Sequence, residues 1–178
     1  MKLINICLPI LMGICLSACS GARVRSNFAN TLVGKSEYRL AFVNDNIISD
    51  GVASELLRYG FVVVERSRLN AVLEELNLNM NGILLPENLK KVGNILNVDA
   101  LVFVAGNFDG NFTSKVGSAN AKIVDVESGV LLGGISYQNG SGCGAGSPCD
   151  GWSKEGSIST VSKIAREIAK GLGKVDKR

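Results

Sequence analysis

Histidine is absent from this 178-residue sequence. A serine–histidine catalytic site therefore cannot form, and no G-x-x-x-x-G-K-[ST] pattern follows a predicted strand to bind a nucleotide. Lys and Arg number 19 against 16 Asp and Glu, a near balance that gives no electrostatic basis for nucleic-acid binding. The sequence predicts a protein that is not an enzyme, with no catalytic residues, no cofactor and no nucleic-acid partner. A glycan hydrolase that works with two carboxylates stays open as an alternative.

Long apolar runs are also scarce, and the one present lies at the N-terminus. Lys2 precedes LINICLPILMGICL, which is too short for a bilayer span and is typical of a secretory signal. The run ends in LSAC, which resembles the signal of bacterial lipoproteins. This resemblance implies cleavage after residue 18 and lipidation of Cys19, and Ser20 after the cysteine implies sorting to the outer membrane. An ordinary secretory signal with an incidental cysteine is the alternative.

Five cysteines are present, of which two leave with a signal peptide over 1–18. Cys143 and Cys149 then remain as a pair in a compartment where disulfides persist. We predict a disulfide between them, closing a small ring worth roughly 2 kcal/mol. A zinc site needs about four ligands, which the chain cannot supply here, and the spacing is not the C-x-x-C of a catalytic dithiol. No metal site is expected.

The rest of the chain divides into a lipidated tether over 19–38, which is polar and without strand or helix periodicity, and one domain over 39–174. Short apolar runs and alternating segments predict strands at 39–43, 61–64, 100–104, 116–126 and 130–137. Spacings of three and four predict four helices between and after them. The order β-α-β-α-α-β-β-β-α predicts an α/β or α+β fold with a single mixed sheet and helices packed on it.

Several residues are predicted to begin or end these helices and turns: Asp50, Ser67, Pro86 and either Ser157 or Ser159 at helix starts, Gly60 at a helix end, and Gly129 in the hairpin turn. Asp45 and Asp50 follow the first strand and offer carboxylates to a cation. A helix cap for Asp50 and a solvated loop for Asp45 are the preferred interpretations.

Three stretches carry a resemblance to a known family: FVVVERSRLNAVLEEL (61–76), LKKVGNILNVDALVFVAGNF (89–108) and AKIVDVESGVLL (121–132). They resemble the strand, helix and hairpin patterns of the curli-secretion-channel (CsgG-like) family and of the related outer-membrane lipoproteins that activate penicillin-binding proteins. The resemblance covers most of residues 39–137. Each motif also has a local structural reason, so we interpret the matching residues first as determinants of the fold.

The channel members insert two hairpins per subunit into the membrane, at positions that correspond to 107–114 and 139–154. A membrane-crossing strand needs about 9–11 residues, so the first segment is too short for two, and the second is rich in glycine and serine. We therefore expect a periplasmic domain without membrane hairpins and no pore. The resemblance implies a non-catalytic adaptor or activator in the cell envelope, anchored to the outer membrane and bound to an envelope protein. The alternative is an accessory component of a curli-type secretion system. The identity of the protein partner and a homo-oligomeric state stay open.

Overall fold

The structure is a computed structural model that describes residues 23–29, 37–79, 83, 85–108, 116–139 and 157–173. Its strands are β1 (Arg23–Phe28), β2 (Arg39–Phe42), β3 (Val62–Val64), β4 (Ala100–Phe108), β5 (Val116–Asp125) and β6 (Leu131–Gln138). Its helices are α1 (Ile47–Arg58), α2 (Arg66–Glu75), α3 (Pro86–Leu96) and α4 (Ser157–Gly171). The signal peptide, Cys19, Cys143 and Cys149 lie outside the described residues, so their lipidation and pairing stay predictions.

All six strands belong to one sheet in the order β1-β6-β5-β4-β2-β3. β2 is parallel to β3 and β4, and the remaining neighbours are antiparallel. The predicted mixed sheet with packed helices is therefore confirmed. β2 and the first half of β4 (100–104) are near-continuous apolar runs because their side chains are largely buried on both faces of the sheet.

Helices cover both faces of the sheet, but not equally. α1 and α4 pack on one face, in a core that includes Leu56, Val102 and Ile168. α2 and α3 pack on the other face, in a second core that includes Leu69 and Leu101. The first core extends from β2 to β6, whereas the second covers only the region of β2, β3, β4 and the end of β5. The far part of that second face carries no helix among the described residues.

β1 lies within the stretch that the sequence predicts to be a tether, so the prediction of no strand in 20–38 is wrong. β1 pairs antiparallel with β6, from Arg23 opposite Gln138 to Phe28 opposite Gly133. Of its side chains, only those of Val24 and Phe28 pack against the core. The other positions of β1 are polar, so the strand has too few apolar residues to show the alternation of apolar and polar residues that indicates a half-buried strand.

The ring of Phe28 fits between two glycines. A β carbon at Gly133 of β6 would lie 2.2 Å from the ring, and one at Gly171 of α4 would lie 2.4 Å from it. Both distances are well below any real contact of a β carbon. The absence of side chains at these two positions therefore creates the space that holds β1 on the sheet and on α4.

Two of the predicted helix caps are wrong, because α1 and α2 begin earlier than expected. Asn46 caps α1, since its Oδ1 accepts a hydrogen bond of 2.8 Å from the amide of Ser49, and Asp50 lies in the first turn. Ser67 lies inside α2, whose N-cap residue is Glu65. The amide group of Asn46 also donates to the carbonyl of Val104 at 2.8 Å, which fixes the helix start against β4.

The predictions for the start of α3, the end of α1 and the β5–β6 turn are confirmed. Pro86 begins α3, and Gly60 and Gly129 have φ of 76° and 69° at the end of α1 and in the β5–β6 turn. These values lie in the left-handed region that glycine adopts at low cost. α4 begins at Ser157, so Ser159 lies inside the helix and is not its cap; the residue before Ser157 lies outside the described residues, and the cap at Ser157 stays a prediction.

Candidate interaction surfaces

Part of the second face of the sheet is open to solvent. Val24 and Phe28 of β1, Ala121 of β5 and Ile135 and Tyr137 of β6 point into the first core. Because side chains alternate along a strand, the residues between them point to the opposite face. We call this surface the open face: Arg23, Arg25, Asn27, Ser118, Asn120, Lys122, Gly134, Ser136 and Gln138.

The open face is positively charged. Its three ionisable side chains are those of Arg23, Arg25 and Lys122, all exposed, and none of the nine residues that form it carries a carboxylate. The remaining side chains are amides and hydroxyls, which donate and accept hydrogen bonds. The chemistry of this surface is complementary to carboxylates, with which arginine and lysine form charge-assisted hydrogen bonds.

A shallow groove of about 370 Å³ runs across the open face. Strand register places Gly134 between Asn27 and Lys122. A β carbon at Gly134 would lie 3.9 Å from the nearest atom, so the space above it is free. Gly134 thus forms the floor of the groove, and the side chains of Arg25 and Asn120 are among those that line it.

Arg66 engages the two carboxylates that the sequence offers to a cation. Its Nη2 lies 2.5 Å from Asp50 Oδ1, and its Nη1 contacts Asp45 Oδ1. The cation that Asp45 and Asp50 share is therefore the guanidinium group of Arg66, which lies in the first matched stretch (61–76). This cluster links the start of α2 to the start of α1, and Asp45 is not merely solvated.

Asp99 and Gly106, from the second matched stretch, also serve the fold. Asp99 Oδ2 accepts a hydrogen bond of 2.8 Å from the amide of Arg39, and the Asp99 amide donates to the Arg39 carbonyl at 2.8 Å. These bonds align the start of β2 with the start of β4. A β carbon at Gly106 would lie 2.6 Å from Ile48, so glycine lets α1 approach β4 closely.

Glu167 connects α4 to β1. Its Oε2 accepts a hydrogen bond of 2.6 Å from the Ser26 hydroxyl, and its Oε1 lies 3.2 Å from Lys170 Nζ. Partial burial raises the pKa of the Glu167 carboxyl, but the hydrogen bonds from Ser26 and Lys170 and the charges of Lys170 and Arg166 outweigh it. The pKa of Glu167 therefore lies below its usual value.

An apolar groove of about 350 Å³ lies where α1 and α4 begin. Phe108 and Val161 contribute to its walls, and Ile47 and Ile158 line it while remaining 71% and 83% exposed. We call this region the apolar edge: Ile47, Phe108, Ile158 and Val161.

None of the described helices is long and apolar enough to cross a membrane. Within the same part of the chain, no three His, Cys, Asp or Glu side chains group closely enough to hold a metal ion.

The model of one protein family, the curli production assembly/transport component CsgG, matches residues 25–138. The chain belongs to this family. The match begins inside β1 and ends at the last residue of β6, so it includes β5, β6 and the part of β1 from Arg25 onward. No curated protein matches the sequence significantly.

Three solved structures are similar to this one at low identity, and the first of them has a TM-score above 0.5 and shares the fold. A PelC dodecamer from Paraburkholderia phytofirmans is 11% identical, with a TM-score of 0.51 over 86% of this chain and 99% of that one. The lipoprotein GNA1162 from Neisseria meningitidis is 18% identical, with a TM-score of 0.46 over 76% and 99%. The LpoB C-terminal domain from Salmonella enterica is 10% identical, with a TM-score of 0.44 over 74% and 93%.

Proposed function

We propose that this protein is a lipoprotein of the bacterial outer membrane, anchored through Cys19, whose periplasmic domain is a non-catalytic adaptor or activator. Its partner is an envelope protein that presents an acidic segment to the open face. Membership of the CsgG family supports the envelope role. The lipoprotein signal that ends at Cys19 supports the anchor.

The open face is the observation that carries the adaptor role. Arg23 and Arg25 lie on one strand and Lys122 lies two strands away, across the groove that Gly134 opens. Guanidinium groups can bind a carboxylate with two parallel hydrogen bonds, which fixes its orientation as well as its position. The amides of Asn27 and Asn120 can bind the backbone of the same segment.

An accessory role in a curli-type secretion or assembly system is the second candidate, favoured by the family match. In that role the open face would contact another copy of this chain. The PelC structure is a dodecamer, and by analogy we include a homo-oligomer in this alternative.

Site-specific photo-cross-linking in intact cells tests the proposal. A benzophenone side chain at Ser136, in the middle of the open face, should give an adduct with an envelope protein. The same side chain at Lys91, which is exposed on α3, should not give that adduct. An adduct whose mass is twice that of this chain would instead support the self-assembling alternative.

Charge variants complete the experiment. Replacement of all three open-face cations by glutamine should abolish the Ser136 adduct: Arg23→Gln, Arg25→Gln and Lys122→Gln. A control removes three exposed cations from helices and changes the net charge equally: Arg58→Gln, Arg68→Gln and Lys91→Gln. If both triple variants cross-link as the parent does, or if Ser136 gives no adduct, the open face is not the binding surface.

A further inference from the structure

The position of β1 limits how far the domain can lie from its anchor. Only three residues, 20–22, separate Cys19 from Arg23, the first residue of β1. An extended chain spans at most about 3.6 Å per residue, so the two Cα atoms lie within roughly 14 Å of each other. The predicted tether of about twenty residues would have allowed several times that distance.

We propose that, in the lipid-anchored protein, the apolar edge rests on the membrane that carries the anchor, with Ile47 and Ile158 inserted at its interface. This inference rests on the lipidation of Cys19 that the proposed function includes. It adds an orientation to that function, because it states which end of the domain contacts lipid.

The apolar edge lies at the same end of the sheet as the start of β1. Arg23 is opposite Gln138, Gln138 is opposite Ser118, and Ser118 is opposite Asn107, in one row across four strands. Neighbouring strands are about 4.8 Å apart, which places Asn107 roughly 14 Å from Arg23. Phe108, the next residue, lines the apolar groove. The anchor therefore brings this end of the domain to the membrane surface.

The chemistry of this end suits a lipid interface. Ile47 and Ile158 are the two most exposed large apolar side chains among the described residues, at 71% and 83%. Moving an isoleucine side chain from water into apolar surroundings is favourable. Each isoleucine begins or nearly begins a helix, α1 or α4, so both helix starts contribute an apolar side chain to the same groove.

Charge at this end is mixed and does not decide the orientation. Arg23 and Arg25 would favour anionic headgroups. Asp45 and Asp50 lie near the start of α1 with the opposite sign, although Arg66 pairs with both. We therefore expect the apolar edge to contact zwitterionic and anionic bilayers alike.

Depth-dependent fluorescence quenching tests the orientation in the acylated, mature protein reconstituted into phosphatidylcholine vesicles. In a Cys143→Ser, Cys149→Ser background, one of the substitutions Ile47→Cys, Ile158→Cys or Leu57→Cys supplies a single thiol for an environment-sensitive fluorophore. Leu57 is the matched control, since it is also apolar, 57% exposed and on α1, ten residues from Ile47. At 1.5 Å per residue, it lies about 15 Å further along the helix.

Fluorophores at positions 47 and 158 should be quenched by nitroxide-labelled lipid at least severalfold more than the fluorophore at position 57, and should shift to the blue. Equal quenching at the three positions would overturn the proposal. Protection of positions 47 and 158 from both lipid-borne and aqueous quenchers would also overturn it, because protein would then cover the apolar edge. If Cys19 is not acylated, mass spectrometry shows an unmodified cysteine and the protein does not float with the vesicles. These two measurements distinguish a missing anchor from a wrong orientation of an anchored domain.

Discussion

Gly133→Ala should destabilise the parent protein but stabilise a variant that lacks the ring of Phe28. In the parent protein, the new β carbon would lie 2.2 Å from the ring, which must then leave its position against β6 and α4. In a Phe28→Ala background nothing from residue 28 occupies that space. Alanine should then be the better residue in the strand, because glycine loses more backbone entropy on folding.

The expected magnitudes follow from packing and propensity. Overpacking a well-filled contact costs about 1–3 kcal/mol, so Gly133→Ala should destabilise the parent by that amount. Phe28→Ala should cost about 2 kcal/mol, less than a fully buried phenylalanine, because the ring is only partly buried. In that background, Gly133→Ala should instead stabilise by about 0.5–1 kcal/mol.

Urea unfolding of the mature chain, started at residue 20 to keep β1, measures these differences as a double-mutant cycle. With a slope of about 2 kcal/mol per molar, each kcal/mol moves the midpoint by about 0.5 M. Gly134→Ala is the control, since it is the next residue on the opposite face and its β carbon meets nothing within 3.9 Å. If Gly133→Ala has the same effect with and without the ring, Phe28 does not occupy this position and β1 is not docked as described.

Three further predictions concern charge, pH and the loop cysteines. Arg66→Gln should lower the free energy of unfolding by about 1 kcal/mol or less, since both carboxylates are exposed, and the loss should shrink in high salt; an unchanged urea midpoint at low salt would contradict it. Because the pKa of Glu167 is lowered on folding, the stability it contributes is present above its unfolded pKa of about 4.3 and is lost as the pH falls through its folded pKa. Glu167→Gln should therefore reduce the loss of stability on acidification, and urea midpoints at neutral and acid pH would show whether it does. Cys143→Ser with Cys149→Ser should cost roughly 2 kcal/mol, and both native thiols should resist labelling without reductant; quantitative labelling would show that the disulfide is absent.

The central strands and helices could be predicted because local sequence preference and tertiary packing favour the same structure there. Residues 100–104 of β4 form a continuous apolar run, and both faces of the strand are covered there. α3 begins at Pro86 and buries Leu89, Val92 and Leu96, so the sequence indicates both the apolar face of this helix and the residue at which it begins. The motif residues were expected to serve the fold, and the hydrogen bonds of Asp99 confirm this for one of them.

The open face could not be predicted, because it depends on an edge strand whose sequence is polar. Arg23 and Arg25 belong to the predicted tether in the sequence, and only the pairing of β1 with β6 places them on the sheet. The pairing of Arg66 with Asp45 and Asp50 joins residues 21 and 16 positions apart, which no local pattern reveals. Asn46 was missed as a cap because Asp50 is an equally good capping residue by type, and only the carbonyl of Val104 selects where α1 begins.

The mass of the mature N-terminus decides whether the lipid anchor exists, and both the adaptor role and the orientation of the apolar edge depend on that anchor. Protein extracted from cell envelopes with detergent should give an N-terminal peptide that starts at Cys19. That peptide should carry a diacylglyceryl group on sulfur and an acyl group on the amine, and Cys19→Ala should release the protein from membranes. An unmodified N-terminus, or one that starts elsewhere, would contradict the lipoprotein assignment and remove the basis for placing the domain against the membrane.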